Sequence, residues 1–165
     1  MNIFYLSDNP QEAALMHNDK HCVKMILESA QMLGTAHRVL DGDEKCNNLF
    51  MYKEAHKNHP STKWVRENVY NYTWLFDLFE ALCDEYTYRY DKAHATDLQL
   101  REVLREMPLH IPMMNTRFTE PPQCMPDEYK CLDTVEAYRK YYLGEKSHFS
   151  SWKKRPTPTW YQNGI

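Results

Sequence analysis

The chain has 165 residues, 42% of them hydrophobic and 26% charged, with a formal net charge of −3. That length suits one domain with one sizeable core, and the acidic balance excludes a uniformly basic nucleic-acid coat, so any hold on DNA or RNA has to come from a local patch. Twelve Tyr, six Phe and four Trp against four Gly predict a stiff, aromatic-rich interior with rings left over to line a groove.

Residues 2–6, NIFYL, read as a short strand or an extended arm packed on the core. Asn9, Pro10 and Glu12 then supply an N-cap, a proline at the first helical position and an acid three residues after the cap, which predicts a helix start. The apolar positions Ala13, Met16, Val23, Ile26, Leu27, Ala30 and Leu33 carry that helix to about Leu40. Residues 41–48, DGDEKCNN, read as a polar connection. Pro60 bars helix through His59, so a second long helix is expected to start at Ser61 or Thr62. It follows Trp64, Val65, Val69, Tyr72, Leu75, Phe76, Phe79, Leu82, Cys83 and Tyr86, with Glu85, Arg89, Lys92 and His94 as its solvated end. A shorter helix is expected over Asp97–Met107, capped by Thr96 and stopped by Pro108. Five prolines between residues 108 and 128 predict an ordered, extended excursion. A last helix is expected over Asp133–Leu143, ended by Gly144, followed by an extended tail. The expected fold is all-α: a single compact domain over residues 1–165, with two long and two shorter helices, a proline-rich loop and an extended C-terminal arm.

On the first helix His17, His21, Lys24 and Glu28 recur at intervals of four, three and four residues, a spacing that stacks them on one face. Two imidazoles, an ammonium and a carboxylate are components of acid–base, amine or metal chemistry. In one reading Lys20 or Lys24 is an amine nucleophile or charge stabiliser, Glu28 its acid–base partner, and His17 and His21 carry protons. In another, His17 and His21 share a metal ion and His56 and His59 complete its shell. The plain alternative is a solvated face with an ordinary Lys24–Glu28 pair. Arg66 stands at the rim of a nucleotide site, with His56 and His59 lining the same cleft, or pairs with an acid. In the tail, Lys153, Lys154 and Arg155 can fix phosphates while Trp152, Trp160 and Tyr161 offer stacking faces. Alternatively, the arm anchors itself through Trp152 and Trp160 and leaves its cations in water.

Five scattered cysteines without a CxxC pair fit reduced thiols in a cytoplasm, that of the host cell if the protein is viral. Neither a secretory leader nor an apolar run of the ~20 residues needed to span a bilayer is found. The Gly-rich phosphate loop, the GxSxG elbow and the HxE…PCxxC deaminase signature are missing as well. No cofactor is called for.

The segments DKHCVKMILESAQ, HKNHPSTKW, MPDEYK, VEAYRKYY and WKKRPTPTW together resemble a group of small phage-encoded proteins. More remotely, the order of elements is similar to phage-type endonuclease V, the pyrimidine-dimer DNA glycosylase. That family has a short N-terminal arm, a first helix with catalytic His and Glu, a long central helix, a loop-rich segment and a terminal RPTWY-like stretch. Arg155, Pro156, Thr157, Pro158, Thr159, Trp160 and Tyr161 resemble that ending with two residues inserted.

The resemblance implies an all-α domain that grips duplex DNA and attacks a deoxyribose C1′ with an amine. It assigns His17 to the family's first-helix histidine and Glu28 to its carboxylate, at a wider separation than the family's. The family nucleophile is the amine of a threonine exposed by removal of the initiator Met. Here Asn2 is too large for efficient removal, so either the Met1 amine or a lysine takes its place, or the chemistry differs. The first expectation is therefore an enzyme acting on a base or its glycosidic bond. The second is a non-catalytic module that binds a host protein or nucleotide, and the third a His-ligated metal-dependent hydrolase.

Overall fold

The computed structural model describes residues 1–164. Asn9 accepts from the Glu12 amide and Pro10 opens α1 (Pro10–Met16), as the capping pattern predicts. The helix then stops. His17 is extended, and Asn18 caps a new helix, α2 (Asp19–Asp41), by accepting from the His21 amide. The one helix expected from Asn9 to Leu40 is therefore two. The break leaves the last carbonyls of α1 in need of donors, and distant side chains supply them. Arg89 donates to the Leu15 carbonyl at 3.1 Å and the His17 carbonyl at 2.9 Å, and the Trp152 indole N–H donates to the Met16 carbonyl at 2.9 Å.

Gly42, at φ 89°, turns the chain into α3 (Asp43–Asn48), a short helix where a polar connection was expected. The second long helix is likewise broken. His59 caps α4 (Pro60–Val65), and Asn68 restarts the chain as α5 (Val69–Tyr90) by accepting from the Tyr70 and Asn71 amides. The next helix, α6 (Ala95–Arg105), is capped by His94, whose Nδ1 accepts from the Thr96 amide, rather than by Thr96. Asp133 caps α7 (Thr134–Tyr141). Gly144 does not end it, because the chain continues through a π-helical turn over Tyr142–Lys146. A Cβ at Gly144 would fall 2.6 Å from Cε1 of Tyr129, so only glycine lets that ring lie against the turn. The tail is extended apart from α8 (Thr159–Asn163).

Helices α2 and α5 form the central pair, with α1 against α5 and both α4 and α6 against α2. One hydrophobic cluster runs from Ile3 in the N-terminal arm to Trp160 in the tail. The arm is extended, and no strand is found among the described residues. The all-α class holds, with more segments than expected because both long helices are interrupted by asparagine caps. No described helix is long and apolar enough to cross a membrane.

The expected solvated end of the second long helix is in part the most polar region of the interior. Glu85 is 4% exposed and Arg89 is fully buried, because Leu78, Leu82, Glu85 and Arg89 continue one buried stripe of α5. Arg89 donates to Glu85 at 2.7 Å and to Asp19 at 2.9 Å. Burial works against its charge, but these carboxylates outweigh it and hold the guanidinium above its ordinary pKa.

Candidate active site

Glu28 lies on α2 at the side where the N-terminal arm ends. Its carboxylate is largely covered, 14% exposed, and three nitrogens surround it. The Lys24 ammonium is 3.1 Å from Oε1, the Asn2 backbone N–H donates to Oε2 at 3.3 Å, and the Met1 amino nitrogen is 4.0 Å from Oε2. The Met1 side chain is buried at 2% exposure, whereas that of Lys24 is 65% exposed. The amino end is therefore fixed where the lysine is free to swing.

The arm is held in register by its own residues. The Asn2 side-chain amide donates to the Cys124 carbonyl at 2.8 Å, and its oxygen accepts from the Ile3 amide at 2.8 Å. Phe4 adopts a left-handed backbone (φ 56°), an unfavourable state for a non-glycine residue. Its ring stacks on His21 at 4.1 Å and meets Tyr142 edge-on at 5.4 Å. His21 Nδ1 in turn lies 2.6 Å from the Tyr142 hydroxyl, hydrogen-bonded to it.

His17 and His21 are thus packing residues. His17 ends α1, not the stripe of α2, and its Nδ1–H donates to the Ala13 carbonyl at 2.7 Å. Both rings are buried, at 0% and 6% exposure, and Glu28 lies about 10 Å along the helix from His21. Burial lowers the His17 pKa to about 4 and that of His21 to about 2, with the neighbouring positive charges adding to the effect. Both Nδ1 atoms are engaged, the ring centroids lie 6.5 Å apart, and His17 Nε2 is buried without a hydrogen-bond partner. No group of three metal-binding side chains is found among the described residues.

These histidines predict an acid-sensitive fold. An unfolded histidine titrates near 6.5, above the folded values of His17, His21 and the equally buried His37, whose pKa burial lowers to about 4. Below that pH the unfolded chain takes up protons that the folded chain refuses. The stability present above 6.5 is therefore lost as pH falls towards 4. Denaturant midpoints measured across this range should fall steadily, and a flat profile would contradict the buried neutral rings.

The HKNH segment does fold back on the first helix. His59 caps α4 and is half-buried. Its pKa is lowered by burial and then by the positive amino terminus and His56, with Glu28 pulling the other way. His56 is exposed in a left-handed turn. Arg66 donates to the Thr62 carbonyl at 2.9 Å, closing the end of α4.

The tail is largely committed to the fold. Arg155 bonds both oxygens of Glu85 at 3.0 Å, and Lys154 reaches Asp91 at 2.7 Å. Trp152 and Trp160 are buried at 8% and 9% exposure, and Tyr161 packs edge-on against Trp152. Only Lys153, above the Tyr90 ring, has no carboxylate partner among the three cations. Trp152 and Trp160 anchor the arm, but two of its cations are not left in water: the acids that pair with them lie on α5 and just beyond its end.

Residues 1–98 match the model of the pyrimidine dimer DNA glycosylase family. The chain belongs to this family. No curated protein and no solved structure matches it. The resemblance to the pyrimidine-dimer glycosylase read from the sequence therefore holds, and with it a DNA glycosylase type of activity with DNA as substrate. The matched region of this glycosylase holds Met1, Lys24, Glu28, His59 and Arg89. The remaining residues supply Cys124, Tyr142 and Trp152, which hold the arm and the α1–α2 break in place.

Proposed function

We propose that Glu28 and the Met1 amine carry out glycosylase–lyase chemistry on damaged DNA. The observation behind this reading is a mostly buried carboxylate facing an amino group whose own side chain is anchored. Glu28 takes a proton from the ammonium, and the freed nitrogen forms a bond to C1′ of the damaged nucleotide. The glycosidic C1′–N bond breaks, and the base leaves with the bonding pair and takes the proton that the amine nitrogen sheds on forming its bond. O4′ then leaves C1′ with its bonding pair and takes the proton that Glu28 received, giving an open-chain iminium that the ionised Glu28 is placed to stabilise. Lys24 is the other amine within reach of this carboxylate. The Met1 amine is favoured because it is fixed in place, and because an α-amino group gives up its proton more readily than a lysine ammonium.

The test is borohydride trapping on duplexes carrying pyrimidine dimers or abasic sites, read by intact mass and peptide mapping. An adduct at Met1 is the expected result. An adduct mapped to Lys24 would reassign the amine. Duplex binding without an adduct on any substrate would overturn the chemistry and leave a non-covalent base-modifying enzyme or a binding module.

A further inference from the structure

A chain of net charge −3 that acts on DNA has to concentrate free cations where the strand runs. Most of the arginines and lysines of this molecule are neutralised in place. Arg38 pairs with Asp43, Lys45 with Glu106, Arg101 with Asp84 and Asp97, and Arg105 with Glu80 and Glu102. The tail cations Lys154 and Arg155 are paired as well.

The surroundings of the N-terminal arm are different. The Lys20 ammonium sits 4.6 Å from the centre of the Phe149 ring, and Phe149 meets His21 edge-on at 5.7 Å. The Lys146 ammonium, on the π-helical turn, sits 4.6 Å from the centre of Tyr141, whose ring stacks on Phe4 at 6.2 Å. Lys24 and Lys146 both act on the His21 imidazole electrostatically, which places both ammonium groups in its neighbourhood. Among the described residues no carboxylate lies within 4.0 Å of Lys20 or Lys146, and Lys24 has only Glu28 itself. The nearest acids in sequence are engaged: Asp19 accepts from Arg89 and Ser151, and Glu145 accepts from the Tyr129 hydroxyl. An ammonium resting on an aromatic face keeps its charge and is restricted in place, so less freedom is lost when it meets a phosphate. Lys20 and Lys24 are one helical turn apart, about 6 Å along the axis.

We infer that Lys20, Lys24 and Lys146 form a phosphate track along which the DNA backbone passes Glu28, and that the cations of the C-terminal arm lie off it. This rests on the reading of Glu28 as the reaction centre, and it moves the grip on DNA from the tail to the junction of α2 with the π-helical turn. Two of its three cations, Lys20 and Lys146, have no carboxylate within 4.0 Å among the described residues, and the third, Lys24, is paired with Glu28 alone.

The test is equilibrium binding of the full chain to a duplex containing a non-reactive abasic analogue, by fluorescence anisotropy from about 50 to about 200 mM salt. Removing one cation that neutralises a phosphate flattens the plot of log affinity against log salt by about 0.9. Lys20→Gln with Lys146→Gln should therefore flatten it by about 1.8. Lys153→Gln with Lys154→Gln should leave the slope as in the wild type. Both pairs are surface changes, and matched thermal melts establish that the variants remain folded. An unchanged slope in the first pair, or a loss of slope confined to the second, overturns the track while borohydride trapping by the wild type still stands. A slope that changes as expected in a protein that never yields an adduct supports the track and overturns the amine chemistry. A wild type with no duplex affinity overturns both.

Discussion

Glu28→Gln is expected to slow adduct formation on abasic-site duplexes by about 10²- to 10⁴-fold, the range over which a positioned acid–base group acts. Glutamine has the same shape, and its carbonyl oxygen can still accept from the Asn2 amide that now lies 3.3 Å from Oε2. What it loses is the capacity to take a proton from the Met1 ammonium or to face a developing positive charge. Because the arm is also held by Cys124 and by the Phe4–His21 stack, the amine should stay close to its place, and duplex affinity should change little. The loss should therefore appear in the single-turnover rate rather than in binding. If Glu28→Gln reacts at the wild-type rate, the carboxylate has no part in the chemistry, whatever the identity of the amine.

The second large effect is on stability. Arg89→Ala should cost about 3–5 kcal/mol, the range for removing one partner of a buried ion pair. The substitution leaves Glu85, 3% exposed at its side chain, with only the partly exposed Arg155, and it strips Asp19 of its buried partner. It also leaves the Leu15 and His17 carbonyls without the donors they have in the break between α1 and α2. Urea denaturation measures the loss directly. Arg89→Met with Glu85→Gln should recover part of it, since the charge is then removed on both sides. A loss below about 1 kcal/mol for Arg89→Ala, the value of an exposed pair, would mean that this network is hydrated and does not set the join between the helices.

The helical class and the cap at Asn9 follow from spacing and from local chemistry that needs no partner. The interruptions were equally written in the chain. Asn18 precedes Asp19 as a cap precedes a first-turn acid, and Asn68 stands as a cap before Val69, but the apolar period resumes in phase beyond both points and masks them. Glu85 and Arg89 fall on the stripe that buries Leu78 and Leu82. Charge alone makes them look solvated, because besides Glu85 the acid and carbonyls that receive Arg89 come from residues 15–19, a pairing that no local pattern discloses. The stripe of α2 separated for a related reason. His21 and Glu28 share a helix, but the arm covers the first with Phe4 and the second with its amino end. Only the fold of residues 1–4 distinguishes the histidine that an aromatic ring covers from the carboxylate that faces an amino group. Lys146 joins the site through the π-helical turn, where the helical period read from the sequence no longer applies.

The polar shell around the α1–α2 break also bears on how the molecule comes into being. The Met16 carbonyl waits for Trp152, Asp19 for Ser151 and Lys153, and His21 for Tyr142, across gaps of 136, 132, 134 and 121 residues. Synthesis from the amino end displays Glu28 early, whereas Tyr142, Ser151 and Trp152 follow only after helices α1 to α7 have been made. Loops this long close slowly. The family-defining first 98 residues can therefore assemble their helices during translation, but the arm and the α1–α2 break are fixed only when Cys124, Tyr142 and Trp152 close on them.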